Sequence, residues 1–345
     1  MNLNKRLLLT VFIVIILGLT LFIYRKTIDN EISALLKDTK INFIPKPTKN
    51  FSTESKIHHI FVILEENHDW STIYKNPDGS YINNTLIKQG AYASNYHNVP
   101  ENLGELHSSE LNYIFLEAGM IAFQDYTFTN DDSPTAKNST ASKKHLVTQL
   151  HQKGLTWKSY QEGILGNDCP IHTVGDYAPK HNPMIFFQDV SGKPPSTDNK
   201  YCKDHVRPLS ELKKDLETGN VPNYVFITPN LQNDMHDGTV KNADTWLSQM
   251  VPQIINSTTF KKDGALFITW DEGLEEDKSE NKKGNNPIGM IILSPFAKVG
   301  YTNNIAYSHA SLLKTIQEIF QITSLLGFAN DPQTQDLFDF FNLKK

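Results

Sequence analysis

The sequence predicts an α/β protein built around a largely parallel sheet. Three features of the chain point to it. Short, nearly continuous apolar runs recur after residue 56, as strands buried on both faces do. Segments with helical apolar spacing separate these runs, the alternation expected of βα units. Three of the runs end abruptly in carboxylates, amides and histidines. In open α/β sheets, ligands bind beyond the carboxyl ends of the strands.

The first strand is IFVIL, residues 60–64, which runs straight into Glu65, Glu66, Asn67, His68 and Asp69. KHLVTQLHQKG (144–154) spaces its apolar residues for a helix, with Gly154 as its stop. LTWKSYQEG (155–163) reads as the next strand, LSELKKDLETGN (209–220) as a helix and NYVFITPN (223–230) as a strand. NADTWLSQMVPQII (242–255) is helical, with an interruption expected at Pro252, which has no N–H for the preceding turn. GALFITWDEG (264–273) and IGMIILSP (288–295) are strands, and SHASLLKTIQEIFQI (308–322) is an amphipathic helix. LEEDKSENKKGNN (274–286) reads as a solvated loop.

The N-terminus is a separate unit. Lys5 and Arg6 precede an uncharged apolar run of eighteen residues, 7–24, and Arg25 and Lys26 close it. That length is near the minimum for a bilayer span, and no small-x-small cleavage site follows. Residues 1–26 are therefore expected to be a signal anchor, with a cleaved signal peptide as the alternative. Either exports the chain, leaving it on the extracytoplasmic side of the membrane or secreted. Residues 27–56 read as a polar linker and 57–345 as the folded domain. In an exported protein the pair Cys169 and Cys202 is expected to form a disulfide. The net charge is −5 and no basic block follows the N-terminus, so nothing suggests a nucleic-acid partner.

The polar strand ends carry the candidate chemistry. Glu66 and Asn67 offer a carboxylate and an amide oxygen to one cation, or cap a helix. Asp271 and Glu272 either grip a cation together or form a solvated acidic turn. Ser109, in ELHSSELNY (105–113), is either a hydroxyl activated beside a metal or the ordinary first residue of a helix. A helix N-terminus there would favour an alkoxide and an incoming phosphate. Asn233, Asp234, His236 and Asp237 fall close together in NLQNDMHDG (230–238), and His309 opens the last helix. Carboxylates brought together repel one another, so a divalent cation with oxygen or mixed oxygen and nitrogen ligands is the natural occupant.

Taken together, eight segments in order resemble a known family. They are HIFVILEENHDW, HSSELNYIFLEAG, TWKSYQEG, DYAPKHNPMIFF, VFITPNLQNDMHDG, FITWDEG, IILSPFAKVGY and SHASLLKTIQEIF, spanning nearly all of the chain after residue 56. The family is the phosphoesterase family of bacterial acid phosphatases and non-haemolytic phospholipases C, within the alkaline phosphatase superfamily. The resemblance implies a three-layer sandwich with a largely parallel central sheet. It implies metal-dependent hydrolysis of phosphate esters through a phosphoserine intermediate. The residues it points to are Glu66, Asn67, Ser109, Asp271 and Glu272 on the metal, with Ser109 as nucleophile. Asp234 and His236 would lie near the transferred phosphoryl group, and His236, His309 and Asn130 would hold its oxygens.

Two departures stand out. The family's His-Pro-Ser-Leu-Pro-Asn-Tyr segment reads His107-Ser108-Ser109-Glu110-Leu111-Asn112-Tyr113, so both prolines are replaced and Ser108 becomes a rival nucleophile. Pro287 stands near a place where many members have a histidine, which implies one metal where two are conceivable. Two other functions stay open. One is a phospholipase C-type phosphodiesterase acting on lipid headgroups, since the anchor puts lipid nearby. The other is a catalytically weak, surface-anchored binding domain.

Overall fold

The computed structural model describes residues 56–100, 103, 106–274 and 286–343. The expected anchor at 1–26 and nearly all of the linker lie outside the described residues, as does most of the charged loop after residue 274. The described residues belong to one compact unit, Phe51–Lys345. Among them no helix is long and apolar enough to cross a membrane.

Among the described residues nine strands form in chain order: β1 His59–Glu65, β2 Ala91–Ala93, β3 Tyr96–His97, β4 Trp157–Gln161, β5 Val206–Pro208, β6 Tyr224–Thr228, β7 Gly264–Trp270, β8 Met290–Leu293 and β9 Tyr307–Ser308. Seven of them make one sheet in the order β2-β8-β7-β1-β6-β4-β5. β1 runs parallel to β6, with Ile60 opposite Tyr224, and parallel to β7, with His59 opposite Gly264. β4 is parallel to β6 and β5, whereas β8 is antiparallel to β7 and β2 antiparallel to β8. β3 and β9 pair separately.

The middle of β1 suits the centre of the sheet: Ile60 to Leu64 are all apolar and fully buried. Its alternating side chains serve two layers. Phe61 faces Phe260 on the helix Thr258–Asp263, with ring centroids 6.0 Å apart. On the other face, Tyr113 of the helix Ser109–Ala118 meets Phe226 of β6 edge-on, at 6.2 Å. The helix His309–Ile319 packs beside the Ser109 helix. The result is a mixed α/β fold in three layers, with helices on both faces of the central sheet.

The expected break at Pro252 does not occur. The helix Val240–Ile255 runs through it, started by a capping box between Thr239 and Asn242. Pro252 is half-exposed and so is Ser248, whose carbonyl loses its partner and can turn to water. Cys169 and Cys202 are joined in a disulfide, both side chains buried.

Candidate active site

The three polar strand ends meet because β1, β6 and β7 are neighbours in the sheet. Backbone bonds fix them to one another. Glu66 N–H donates to the Asp234 carbonyl (2.7 Å), and Asp271 N–H donates to the Glu65 carbonyl (2.9 Å). Asn67 N–H donates to Asp271 Oδ1 at 3.0 Å. Asn67 turns the chain at φ 44°, a left-handed conformation asparagine tolerates better than most residues. Met235, between Asp234 and His236, has φ 82°.

Ser109 is the first residue of the helix Ser109–Ala118 and only 2% exposed. Its Oγ donates to Glu66 Oε2 at 2.9 Å. Ser108 precedes it at φ 105°, outside the region that non-glycine residues favour. The Ser108 hydroxyl points elsewhere, to the Asn130 carbonyl at 3.4 Å. Of the two serine hydroxyls, that of Ser109 is the one hydrogen-bonded to the carboxylate cluster. Glu272 braces this turn: its Oε2 accepts from Ser108 N–H (3.1 Å) and Asn112 Nδ2 (2.8 Å).

The electrostatics are unfavourable as they stand. Burial, then the neighbouring charges of Asp271 and Asp234, push the Glu66 carboxyl well above its usual range. Burial and then Glu272 do the same to Asp271. Burial pushes Asp234 up to about 7. Glu66 Oε1, Asn67 Oδ1, Asp271 Oδ2 and Asp234 Oδ2 are buried without a hydrogen-bond partner. Leaving one such group unpaired costs about 1–3 kcal/mol. Orphaned acceptors from several chain segments beside a buried hydroxyl fit a divalent cation bound by oxygen.

Three residues not singled out from the sequence join the site. His181, in the short helical turn Pro179–His181, is buried, with Nε2 3.4 Å from Glu66 Oε1 and Nδ1 3.3 Å from Asp234 Oδ2. It stacks on Tyr113, with centroids 5.1 Å apart and planes 7° from parallel. Burial, then the positive charge of Lys180, lowers its pKa well below the usual value, so its ring is neutral and able to bind a metal. Ligand atoms of Glu66, His181 and His236 lie within 4.8 Å of one another. Lys180 Nζ reaches Asp131 Oδ2 at 2.7 Å and His236 Nε2 at 3.4 Å. Lys180 and His181 lie inside the matched segment DYAPKHNPMIFF, which follows no apolar run, so a search of strand ends passes over them.

The other expected residues are placed as follows. Half-exposed His236 bonds Asp237 Oδ1 through Nδ1 at 2.8 Å. His309 is fully buried behind Asp271. Its Nε2 is 2.9 Å from the Asp271 carbonyl, and the Tyr96 hydroxyl is 3.0 Å from its Nδ1. Both ring nitrogens are thus engaged, and burial lowers its pKa to about 4. Asn130 is exposed on the rim, donating to the Tyr126 hydroxyl at 3.0 Å. Of the remaining polar residues after β1, Asp69 accepts from Leu274 N–H (3.2 Å) and Asn286 Nδ2 (3.1 Å), and His68 Nδ1 lies 3.1 Å from the Glu66 carbonyl. Glu65 is wholly buried with neither carboxyl oxygen hydrogen-bonded, and burial raises its pKa well above the usual range.

A fold and a strand-end site of this kind define a class, the ester hydrolases built on an open α/β sheet. The chain belongs to the Phosphoesterase family, a family of phosphoric ester hydrolases, whose profile matches residues 74–323. It is 28% identical over 272 residues to a probable acid phosphatase of Kluyveromyces lactis, covering 77% of this chain and 58% of that one. It is 25% identical over 307 residues to a phosphatidylinositol-3-phosphatase of Mycobacterium tuberculosis, covering 89% and 91%. A non-haemolytic phospholipase C of Pseudomonas aeruginosa is 19% identical over 57% of this chain and 34% of that one. The chain thus spans little more than half of the yeast relative but nearly all of the mycobacterial one. A solved structure from the alkaline phosphatase superfamily of Vibrio parahaemolyticus aligns with TM-score 0.48 and 9% identity over 78% of this chain and 67% of that one.

Proposed function

We propose that this protein is a metal-dependent phosphomonoesterase that works through a phosphoserine on Ser109. The observation that carries the reading is the buried Ser109 hydroxyl, hydrogen-bonded to Glu66 beside the orphaned atoms Glu66 Oε1, Asn67 Oδ1 and Asp271 Oδ2. These residues would hold the cation, with Glu272 bracing the nucleophile turn and His181 closing the far side. When bound, a divalent cation supplies Lewis acidity and offsets the crowded negative charge.

Ser109 Oγ attacks phosphorus in line and passes its proton to Glu66 Oε2, to which it already donates. The ester P–O bond breaks, and the leaving oxygen departs as the alkoxide and takes a proton from solvent water. His236 and Asn130 meet the non-bridging oxygens, whose charge must be stabilised as the bond breaks. Water then releases phosphate from Ser109. In this reading His309 acts through Asp271, since its Nε2–H holds the Asp271 carbonyl. The relatives named as phosphatases cover more of the chain than the one named as a phospholipase C, which favours monoesters over lipid diesters. Export is supported by the Cys169–Cys202 disulfide, which suits an oxidising compartment.

The test compares p-nitrophenyl phosphate with p-nitrophenylphosphorylcholine, on protein stripped by a chelator and on protein with metal restored. Metal-dependent turnover of the monoester is expected. Full activity in the stripped protein, or turnover of the phosphorylcholine ester alone, would overturn the reading.

A further inference from the structure

We propose that Lys180 makes the site prefer the dianion of a phosphate monoester over the monoanion of a diester. The proposal rests on the phosphoesterase reading of the Ser109 site and deepens it.

Lys180 is held in a defined place rather than waving in solvent. Its side chain is only 18% exposed, and Nζ is fixed 2.7 Å from Asp131 Oδ2. The other oxygen of Asp131, Oδ1, accepts from the backbone N–H of Glu110 at 3.1 Å. Glu110 directly follows Ser109. One carboxylate therefore ties the ammonium to the start of the nucleophile's helix. On its other side, Nζ is 3.4 Å from His236 Nε2, and His236 belongs with Glu66 and His181 in the group of potential ligands. Lys180 thus bridges the two walls of the site, at its half-exposed mouth.

The charge balance says what such a group is for. The other ionisable side chains described at this site are carboxylates, histidines and the buried phenol of Tyr113, which burial keeps neutral. Glu66, Asp234 and Asp271 are buried there, and an arriving phosphate meets their field. A monoester dianion brings three non-bridging oxygens and two charges. A diester has exchanged one of those oxygens for an ester oxygen and carries a single charge. Lysine supplies a compact positive charge with three donors, suited to the terminal oxygen that only the monoester has. Asp131 takes one donor and His236 Nε2 faces a second, which leaves a third for the phosphate. Removing the ammonium should therefore hurt monoester hydrolysis far more than diester hydrolysis.

The experiment measures kcat/KM for p-nitrophenyl phosphate and bis(p-nitrophenyl) phosphate on the full chain with metal, for the wild type, Lys180→Met and Lys180→Arg. In Lys180→Met the monoester value should fall about 100-fold, the low end for losing one oxyanion-stabilising donor, and the diester value less than about tenfold. Inorganic phosphate should inhibit that variant more weakly, and Lys180→Arg should recover most of the monoester activity. Equal losses on both esters in a variant that melts like the wild type would overturn the proposal, as would no loss on either. Lys180→Gln carries the same test if the methionine variant does not fold. If the wild type hydrolyses neither ester, the phosphoesterase reading itself fails and the proposal falls with it.

Discussion

Ser109→Ala separates chemistry from architecture. The substitution removes one oxygen atom, from a side chain that is 2% exposed and starts a ten-residue helix. The structural loss is the 2.9 Å hydrogen bond to Glu66 Oε2. A hydrogen bond to a carboxylate is worth about 1.5–3 kcal/mol. Glu66 keeps no compensating cation if metal is absent, so a loss near about 2 kcal/mol is expected for the stripped protein. At about 2–4 °C per kcal/mol for a domain of this order of size, Tm should fall by roughly 4–8 °C. The chemical loss is far larger. Removing a serine nucleophile costs about 10⁴- to 10⁶-fold in kcat, leaving what binding and charge stabilisation supply. The assay is steady-state turnover of p-nitrophenyl phosphate, together with acid quenching and mass spectrometry to locate a phosphoryl group on the wild type. The reasoning is refuted if Ser109→Ala keeps more than about a tenth of the wild-type rate, far above the residue expected. It is equally refuted if the trapped phosphoryl group maps to Ser108.

Other outcomes follow from the same geometry. Saturating metal should stabilise the wild type by about 2.7 kcal/mol at one hundred times its Kd. Asp271→Asn can keep the Oδ1 contacts to Asn67 and Glu272 N–H but loses the free Oδ2 acceptor, so its melting curve should no longer respond to metal. His145 is fully buried. Burial alone would lower its pKa, but hydrogen bonds to Asp189 and Glu117 outweigh that and raise it. The fold therefore holds this proton more tightly than the unfolded chain, and the stability it contributes is complete below about pH 6.5 and lost as pH rises through the folded value. Urea midpoints between pH 6 and 9 should fall less steeply in His145→Gln than in the wild type; identical slopes would contradict this. Replacing Cys169 and Cys202 by serine opens a loop with a sequence separation of 33. The chain-entropy estimate for such a loop is about 4 kcal/mol, readable as a lowered urea midpoint under non-reducing conditions.

Much of this architecture was legible because β1, β6, β7 and β8 are long enough to write an apolar run. The two-residue strands β3 and β9 and the three-residue strands β2 and β5 are too short to establish a period, so only the folded chain reveals them. Pro252 misled because a local rule about its missing N–H says nothing of where the unpaired carbonyl points. In the site, Glu66, Asn67 and Asp271 were visible because each follows an apolar strand. His181 and Lys180 were not, because they arrive on a short turn fixed by tertiary contacts, and turns carry no signal of what they will face. His309 shows the opposite limit. Its position before a helix marked it as a site residue, but only three dimensions reveal that Tyr96 and the Asp271 carbonyl occupy both of its nitrogens.

Asn67, Ser108 and Met235 have one more consequence. Each holds a backbone conformation that glycine would adopt freely, and each stands next to a residue of the site. Holding a non-glycine residue there costs about 1–3 kcal/mol. A population selected for heat tolerance would therefore meet glycine at 108 among its easiest gains, whereas at 235 the buried methionine side chain is worth more than the strain. The change at 108 would loosen the turn that aims Ser109. Durability and catalytic sharpness compete at this position, and a lineage that relaxed it would keep its sheet while its chemistry drifted away.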